Sequence, residues 1–261
     1  MKKTKYCDKT WFDSINKTKN NYKTIRLIEK DKTIRETIKK PLIEIILQYY
    51  IPSDIIEYFL DEDEYMSDLE HVINEYLPNP EKDYVEKGDF SEIISSEHLI
   101  QNYNFQFPYI KIQDKPNSET SNHGDDLLGF KFNDAEEISE ISLGEVKFRK
   151  DFSNYVFKDA HKQLKESYHP KPKSLKYIVT HVVKQKNKNY KQFINLLRPN
   201  ALTKIKISHW IFCVTEKSHN NLDIHDETDF LNNLTLISFY LPNISPYIHE
   251  IYELSRGHYN E

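Results

Sequence analysis

The sequence predicts an α/β fold, with a small mixed sheet flanked by helices and a helical region at the N-terminus. Three observations carry that prediction. The run Trp210-Ile211-Phe212-Cys213-Val214 is apolar at every position, as in a strand covered on both faces. Ser142 to Phe148 alternates, with Glu145 and Lys147 on one parity and Val146 and Phe148 on the other. Between these strands, Tyr155 to Tyr168 reads as a helix whose end is marked by Pro170 and Pro172.

Along the chain, residues 1–40 are highly charged and lack an apolar stripe, although Ile25, Leu27 and Ile28 fit a short strand or a turn of helix. From Pro41 onward Ile43, Ile46, Leu47 and Tyr50 share one helical face, and Ser53 can cap a segment holding Ile55, Ile56 and Phe59. A further helix runs from about Met66 to Tyr76 and stops at Leu77-Pro78-Asn79-Pro80. Residues 1–80 read together as a helical cap or partner-facing region, and 81–261 as the domain that carries the chemistry.

Gly88-Asp89 is expected to open the next helix, with Phe90, Ile93, Ile94 and Leu99 as its apolar contacts. Residues 107–112 read as an extended segment, 114–124 as a polar loop, and 126–132 and 140–148 as two strands. After the 155–168 helix, residues 175–197 are helical with an interruption at 184–189. Residues 205–215 and 234–241 are further strands, and 245–254 a short helix.

Size and composition narrow the function. The chain has 261 residues, of which 38% are hydrophobic, enough for one large domain or a domain with an appendage. No apolar run approaches the roughly 18 to 20 residues needed to cross a bilayer, and the lysine-rich start is not followed by a signal-peptide core, so a soluble cytoplasmic protein is expected. Cys7 and Cys213 make neither a disulfide framework nor a zinc cluster. There is no phosphate loop of the Gly-x-x-x-x-Gly-Lys-Ser/Thr type, so ATP use would reside in another protein.

The net charge of -5 hides an asymmetry. From Glu145 to Thr215 there are 16 Lys or Arg against 4 Asp or Glu, which leaves 20 against 37 in the rest of the chain. A polyanion is drawn to the first region and repelled by the remainder. Four of the five glycines, Gly88, Gly124, Gly129 and Gly144, fall in the stretch that also holds the candidate acids.

Those acids have the character of a phosphodiesterase site. Phosphodiester hydrolysis needs a water nucleophile and neutralisation of developing charge, and Mg²⁺ held by carboxylates does much of this. Asp126 and Glu145 lie on successive predicted strands, where they can share one ion, and Glu92 can add a third carboxylate from the preceding helix. Lys147 can orient the attacking water and stabilise charge near the phosphate. Gln163, on the following helix, can orient a phosphate or water.

Each of these has an ordinary counterpart. Glu92 lies three residues after Asp89, so the pair also fits a helix capping box. Asp126 shares parity with Leu128, Phe130 and Phe132, but a one-residue slip would put Asp125 in its place. An isolated Glu-x-Lys is often a surface ion pair, and helices commonly expose glutamine. His123 can contact phosphate or help shape the Asp126 turn, while His161, His169 and His181 assemble no zinc motif.

The segments Lys87-Gly88-Asp89-Phe90-Ser91-Glu92, Asn122-His123-Gly124-Asp125-Asp126-Leu127-Leu128-Gly129-Phe130, Leu143-Gly144-Glu145-Val146-Lys147-Phe148 and Asp159-Ala160-His161-Lys162-Gln163-Leu164 carry a resemblance. In this order they resemble the PD-(D/E)XK nuclease superfamily, and within it the HamA nuclease subunits of Hachiman antiphage systems, also described as the DUF1837 family. The resemblance covers roughly residues 85–240. It implies a restriction-endonuclease-like core and a Mg²⁺-dependent (or Mn²⁺-dependent) DNA endonuclease controlled by a helicase partner, HamB. It assigns Asp126 to the strand acid, Glu145 and Lys147 to the (D/E)XK element and Glu92 to the helical acid. Gly124-Asp125-Asp126 stands where the pattern has Pro-Asp, which keeps Asp125 open. Two other readings remain: a restriction-type endonuclease that reads a DNA sequence, and a non-catalytic nucleic-acid-binding or assembly protein. These residues do not distinguish DNA from RNA.

Overall fold

The structure, a computed structural model, describes residues 8–19, 21–60, 66–114, 125–153, 155–168, 172, 174–185, 188–219, 222–224 and 229–258. Its strands are β1 (Phe12–Thr18), β2 (Tyr22–Glu29), β3 (Leu127–Phe132), β4 (Ile138–Arg149), β5 (Lys206–Thr215) and β6 (Leu234–Tyr240). Its helices are α1 (Asp8–Trp11), α2 (Ile34–Tyr50), α3 (Ser53–Leu60), α4 (Met66–Tyr76), α5 (Asp83–Tyr103), α6 (Tyr155–Tyr168), α7 (Leu175–Lys184), α8 (Tyr190–Leu196) and α9 (Ser245–Arg256). The strands form one mixed sheet in the order β1-β2-β6-β5-β4-β3. The four inner strands β2, β6, β5 and β4 run parallel, and β1 and β3 close the two edges antiparallel.

Helices cover both faces of the sheet, which explains the unbroken apolar run in β5. Trp210, Phe212 and Val214 enter a core formed with Phe90, Ile93 and Ile94 of α5, Ile46 of α2 and Ile251 of α9. Ile211 and Cys213 point the other way, into a second core with Phe157 and Leu164 of α6, Val182 of α7 and Phe193 of α8. Burial pushes the Cys213 thiol up to about 12, so it behaves as a small apolar side chain. Among the described residues, no helix is long and apolar enough to cross a membrane.

The N-terminal stretch takes part in this architecture. Residues 12–29 supply two of the six strands, and α2 lies against α5 and α9. A buried bidentate pair holds it there: Arg35 meets Glu29 through Nε at 2.7 Å and Nη2 at 2.8 Å. The same guanidinium donates to the carbonyls of Pro242 and Asn243, just after β6. Trp11 Nε1 adds a 3.0 Å bond to Glu29. The sheet and its first core therefore draw on both sides of residue 80.

Three elements differ from the sequence expectation. α2 begins at Ile34 and carries Pro41 inside it. The backbone bond lost at proline is tolerated because Ile38, Leu42, Ile45 and Ile46 bury a continuous stripe. α5 begins at Asp83 rather than at Gly88-Asp89, so Asp89 and Glu92 are mid-helix and form no capping box. Asp89 instead accepts a hydrogen bond from the Tyr50 hydroxyl, which also meets Tyr252 at 3.3 Å, tying α5 to α2 and α9. Residues 107–110 form no strand; Pro108 interrupts pairing after a single bridge between Gln106 and Phe130, and a 3-10 turn follows over Lys111–Asp114.

Gly88 sits inside α5, and a Cβ there would meet nothing within 4 Å. Glycine in a helix interior costs about 0.5 to 1 kcal/mol relative to alanine. Gly88→Ala is expected to raise stability by about that amount, read from the urea midpoint at unchanged m-value.

Candidate functional site

The site is built at the β3–β4 edge of the sheet. β3 pairs antiparallel with β4, with Leu127 opposite Gly144 and Leu128 opposite Leu143. Asp126 immediately precedes the first pair of this register, and its hydrogen bond to the Val146 amide brings its carboxylate close enough to Glu145 for the two charges to interact. Lys147, two residues along β4 from Glu145, shares its face, while Val146 and Phe148 pack into the opposite core.

The register depends on two glycines. A Cβ on Gly144 would lie 3.0 Å from Leu127 Cβ, and one on Gly129 would lie 2.6 Å from Ser142 Oγ and 2.9 Å from Phe107 Cζ. A side chain at Gly129 would force Ser142 or Phe107 to shift, and one at Gly144 would press Leu127 by a few tenths of an ångström, so glycine is favoured at both points.

Asp126 continues the ladder with its side chain. Its Oδ2 accepts the Val146 amide at 2.9 Å, and its Oδ1 lies 3.4 Å from Lys111 Nζ. Lys147 Nζ donates to Glu145 Oε1 at 2.6 Å and to Gln163 Oε1 of α6 at 2.7 Å. Glu145 is 7% exposed, and burial together with the charge of Asp126 raises its pKa to about 7 against the pull of Lys147 and Lys111. Burial works against the charge of Lys111, but Glu92, Asp126 and Glu145 outweigh it and hold its pKa above the ordinary lysine value.

Four of the five candidates thus meet directly or through a neighbour: Asp126, Glu145, Lys147 and Gln163. Glu92 comes from α5, in the helical layer opposite α6, and acts on the group through the field it exerts on Lys111. Among the described residues, Glu92, Asp126 and Glu145 do not bring three carboxylate oxygens within 4.8 Å of one another. The ammonium of Lys111 and the amide of Val146 hold Asp126 in its present orientation. His123 and Gly124 lie outside the described residues.

Asp125 faces elsewhere. Its carboxylate takes the Ser167 hydroxyl and the Ser174 amide, the latter at 3.1 Å, and its own amide donates to Ser174 Oγ at 2.9 Å. It is 3% exposed and joins the end of α6 to the start of α7. The Asp126 carboxylate, by contrast, meets the Val146 amide of β4 and Lys111.

Lys111 escaped the sequence reading. Its signal was a lone lysine in Tyr109-Ile110-Lys111-Ile112, an apolar setting in which an ammonium has to find carboxylates. A separate group, Glu86, His249 and Glu253, does bring its ligand atoms within 4.8 Å. Arg256 already contacts both acids there, so that cluster carries its own cation.

The arrangement suits a hard divalent cation at Asp126 and Glu145. Two opposed carboxylates repel, one is held partly protonated near neutral pH, and a cation relieves both conditions.

A family model described as HamA matches residues 4–254 of the chain. The chain belongs to the HamA family. It is 25% identical over 179 residues to the Hachiman protein HamA of Bacillus cereus. That alignment covers 67% of this HamA-family chain and 63% of the relative's length.

Two outcomes follow from this geometry. Asp125→Ala should cost about 2 to 4 kcal/mol, because it removes a buried acceptor and strands its partners. Asp126→Asn retains an oxygen for Val146 and should cost about 1 kcal/mol or less; denaturant melts in EDTA separate the two. The second outcome concerns pH. An acid whose pKa is raised by folding binds more protons when folded, so its ionisation opposes folding as pH rises from about 4.5 to about 7. In EDTA, Glu145→Gln should flatten the fall in stability across that window by a few kcal/mol at most, measured as urea midpoints at closely spaced pH values.

Proposed function

We propose that this HamA-family chain is a metal-dependent DNA endonuclease of an antiphage defence system, with a PD-(D/E)XK core, acting under the control of a helicase partner. The observation that supports this reading is the convergence at the β3–β4 edge, where Asp126 accepts the Val146 amide beside Glu145 and Lys147 donates to Glu145. The surplus of lysine and arginine between Glu145 and Thr215 supplies the charge a nucleic-acid backbone needs. Family membership and the name of the Bacillus cereus relative support the defence setting.

Asp126 and Glu145 would hold Mg²⁺ or Mn²⁺, with Glu92 supporting the ion or its water. When bound, the metal supplies a Lewis acid for the phosphoryl oxygen and a water of lowered pKa. The remaining work falls to the chain. Lys147 stands beside Glu145, where its ammonium can orient a water oxygen and stabilise charge gathering on the phosphate. Gln163 accepts a hydrogen bond from the same ammonium and so limits the directions in which it points. Burial and the charge of Asp126 raise the Glu145 pKa to about 7, and a cation between the two acids would favour its ionised form.

The test is cleavage of duplex and single-stranded DNA in Mg²⁺, with and without a candidate helicase. Wild type should cut in Mg²⁺ and stop in EDTA. Glu145→Ala and Lys147→Ala should each lower the rate by about 100-fold or more, as expected for groups that hold the ion or face the phosphate. Rates equal to wild type in both variants would sink the site.

A further inference from the structure

Among the described residues that meet at the site, Lys111 is a charged group to which the proposed reaction gives no task. It lies on the 3-10 turn Lys111–Asp114, in which Ile112 is buried and Gln113 Nε2 donates to the Gln48 carbonyl at 3.0 Å. The backbone of the turn is therefore anchored, and a shift of the ammonium would have to come from the four-carbon stem of the lysine. Its ammonium lies 3.4 Å from Asp126 Oδ1, with side chains only 14% and 17% exposed. Glu92, Asp126 and Glu145 all act on it electrostatically. Lys147 serves Glu145 and Gln163, so each acid of the opposed pair has its own ammonium.

We infer that Lys111 is a resident counter-cation of this site: it neutralises the carboxylates before a metal ion arrives and must yield Asp126 Oδ1 when one does. The inference rests on the reading that Asp126 and Glu145 bind a divalent ion. Its basis is that one carboxylate oxygen cannot serve a close ammonium and a divalent cation together without strong like-charge repulsion. Lys111 consequently stabilises the metal-free protein, weakens metal uptake, and sets the concentration of divalent ion at which the site loads. Removal of the charge has opposite effects on the two states, which a simple structural lysine would not produce.

The experiment measures Mn²⁺ binding by the metal-stripped full chain, from the EPR signal of free Mn²⁺, together with thermal melts in EDTA and in Mn²⁺. Lys111→Met should bind Mn²⁺ about tenfold or more tightly than wild type, because the competing charge is gone. It should also melt lower in EDTA and regain the loss in Mn²⁺, while Lys111→Arg keeps its charge and stays near wild type in both measurements. Lys111→Gln replaces Lys111→Met where the apolar side chain prevents folding. Unchanged or weaker Mn²⁺ affinity in the uncharged variant overturns the inference, even where its stability falls. Glu145→Gln separates this failure from failure of the site itself. Loss of Mn²⁺ binding in Glu145→Gln with no gain in Lys111→Met removes the counter-cation alone. Wild-type affinity in Glu145→Gln, or no uptake by any of the proteins, removes the metal site and the counter-cation with it.

Discussion

β3 meets β4 with Leu127 against Gly144, and Asp126, the residue just before β3, accepts the Val146 amide and so comes beside Glu145. Strand pairing alternates faces with period two, so a slip of one residue would turn Asp126 away and present a neighbour in its place. Two close approaches prevent the slip. Leu127 fills the space a Gly144 side chain would need, and Phe107 and Ser142 fill the space above Gly129. The apolar partners Leu128, Phe130, Ile141 and Leu143, all buried against α6 to α8, hold the same alignment from the other end. The placement of the acids is thus a by-product of apolar packing, which is stronger and less adjustable than any hydrogen bond they make.

That placement leaves a concentration of like charge in a poorly hydrated setting. Two unit charges about 4 Å apart interact by roughly 4 kcal/mol at an effective dielectric near 20, enough to unfold a marginal domain if nothing offset it. The structure offsets it in two ways. Lys111 and Lys147 each stand beside one acid, and Glu145 shifts its pKa toward neutrality. The like charge is thereby compensated within the chain itself.

The helical layer opposite α6 has its own buried polar contacts, and they explain why the N-terminal region belongs to the fold. Arg35 with Glu29 and Trp11 ties β2 and α1 to the chain that follows β6. Asp89, Tyr50 and Tyr252 join α5, α2 and α9 below the same sheet. Leaving one partner of such a group unpaired is costly, so these contacts fix how α5, and with it Glu92, lies relative to the strands. Glu92 reaches the site from that helix and acts on Lys111.

The sequence by itself determined the mixed α/β class, the strands around Glu145 and Trp210, and the helices at Met66–Tyr76 and Tyr155–Tyr168. These features depend on local periodicity and on proline punctuation, both of which are written in consecutive residues. Tertiary structure decided the rest. Pro41 inside α2 and the early start of α5 follow from stripes buried by distant helices, and β1 and β2 become strands by pairing with each other and with β6, about 200 residues away. Lys111 shows the difference most directly. Its neighbours in sequence are apolar, and its meaning comes from Glu92, Asp126 and Glu145, which reach it from a helix, the residue before β3 and a strand that only the folded chain brings together.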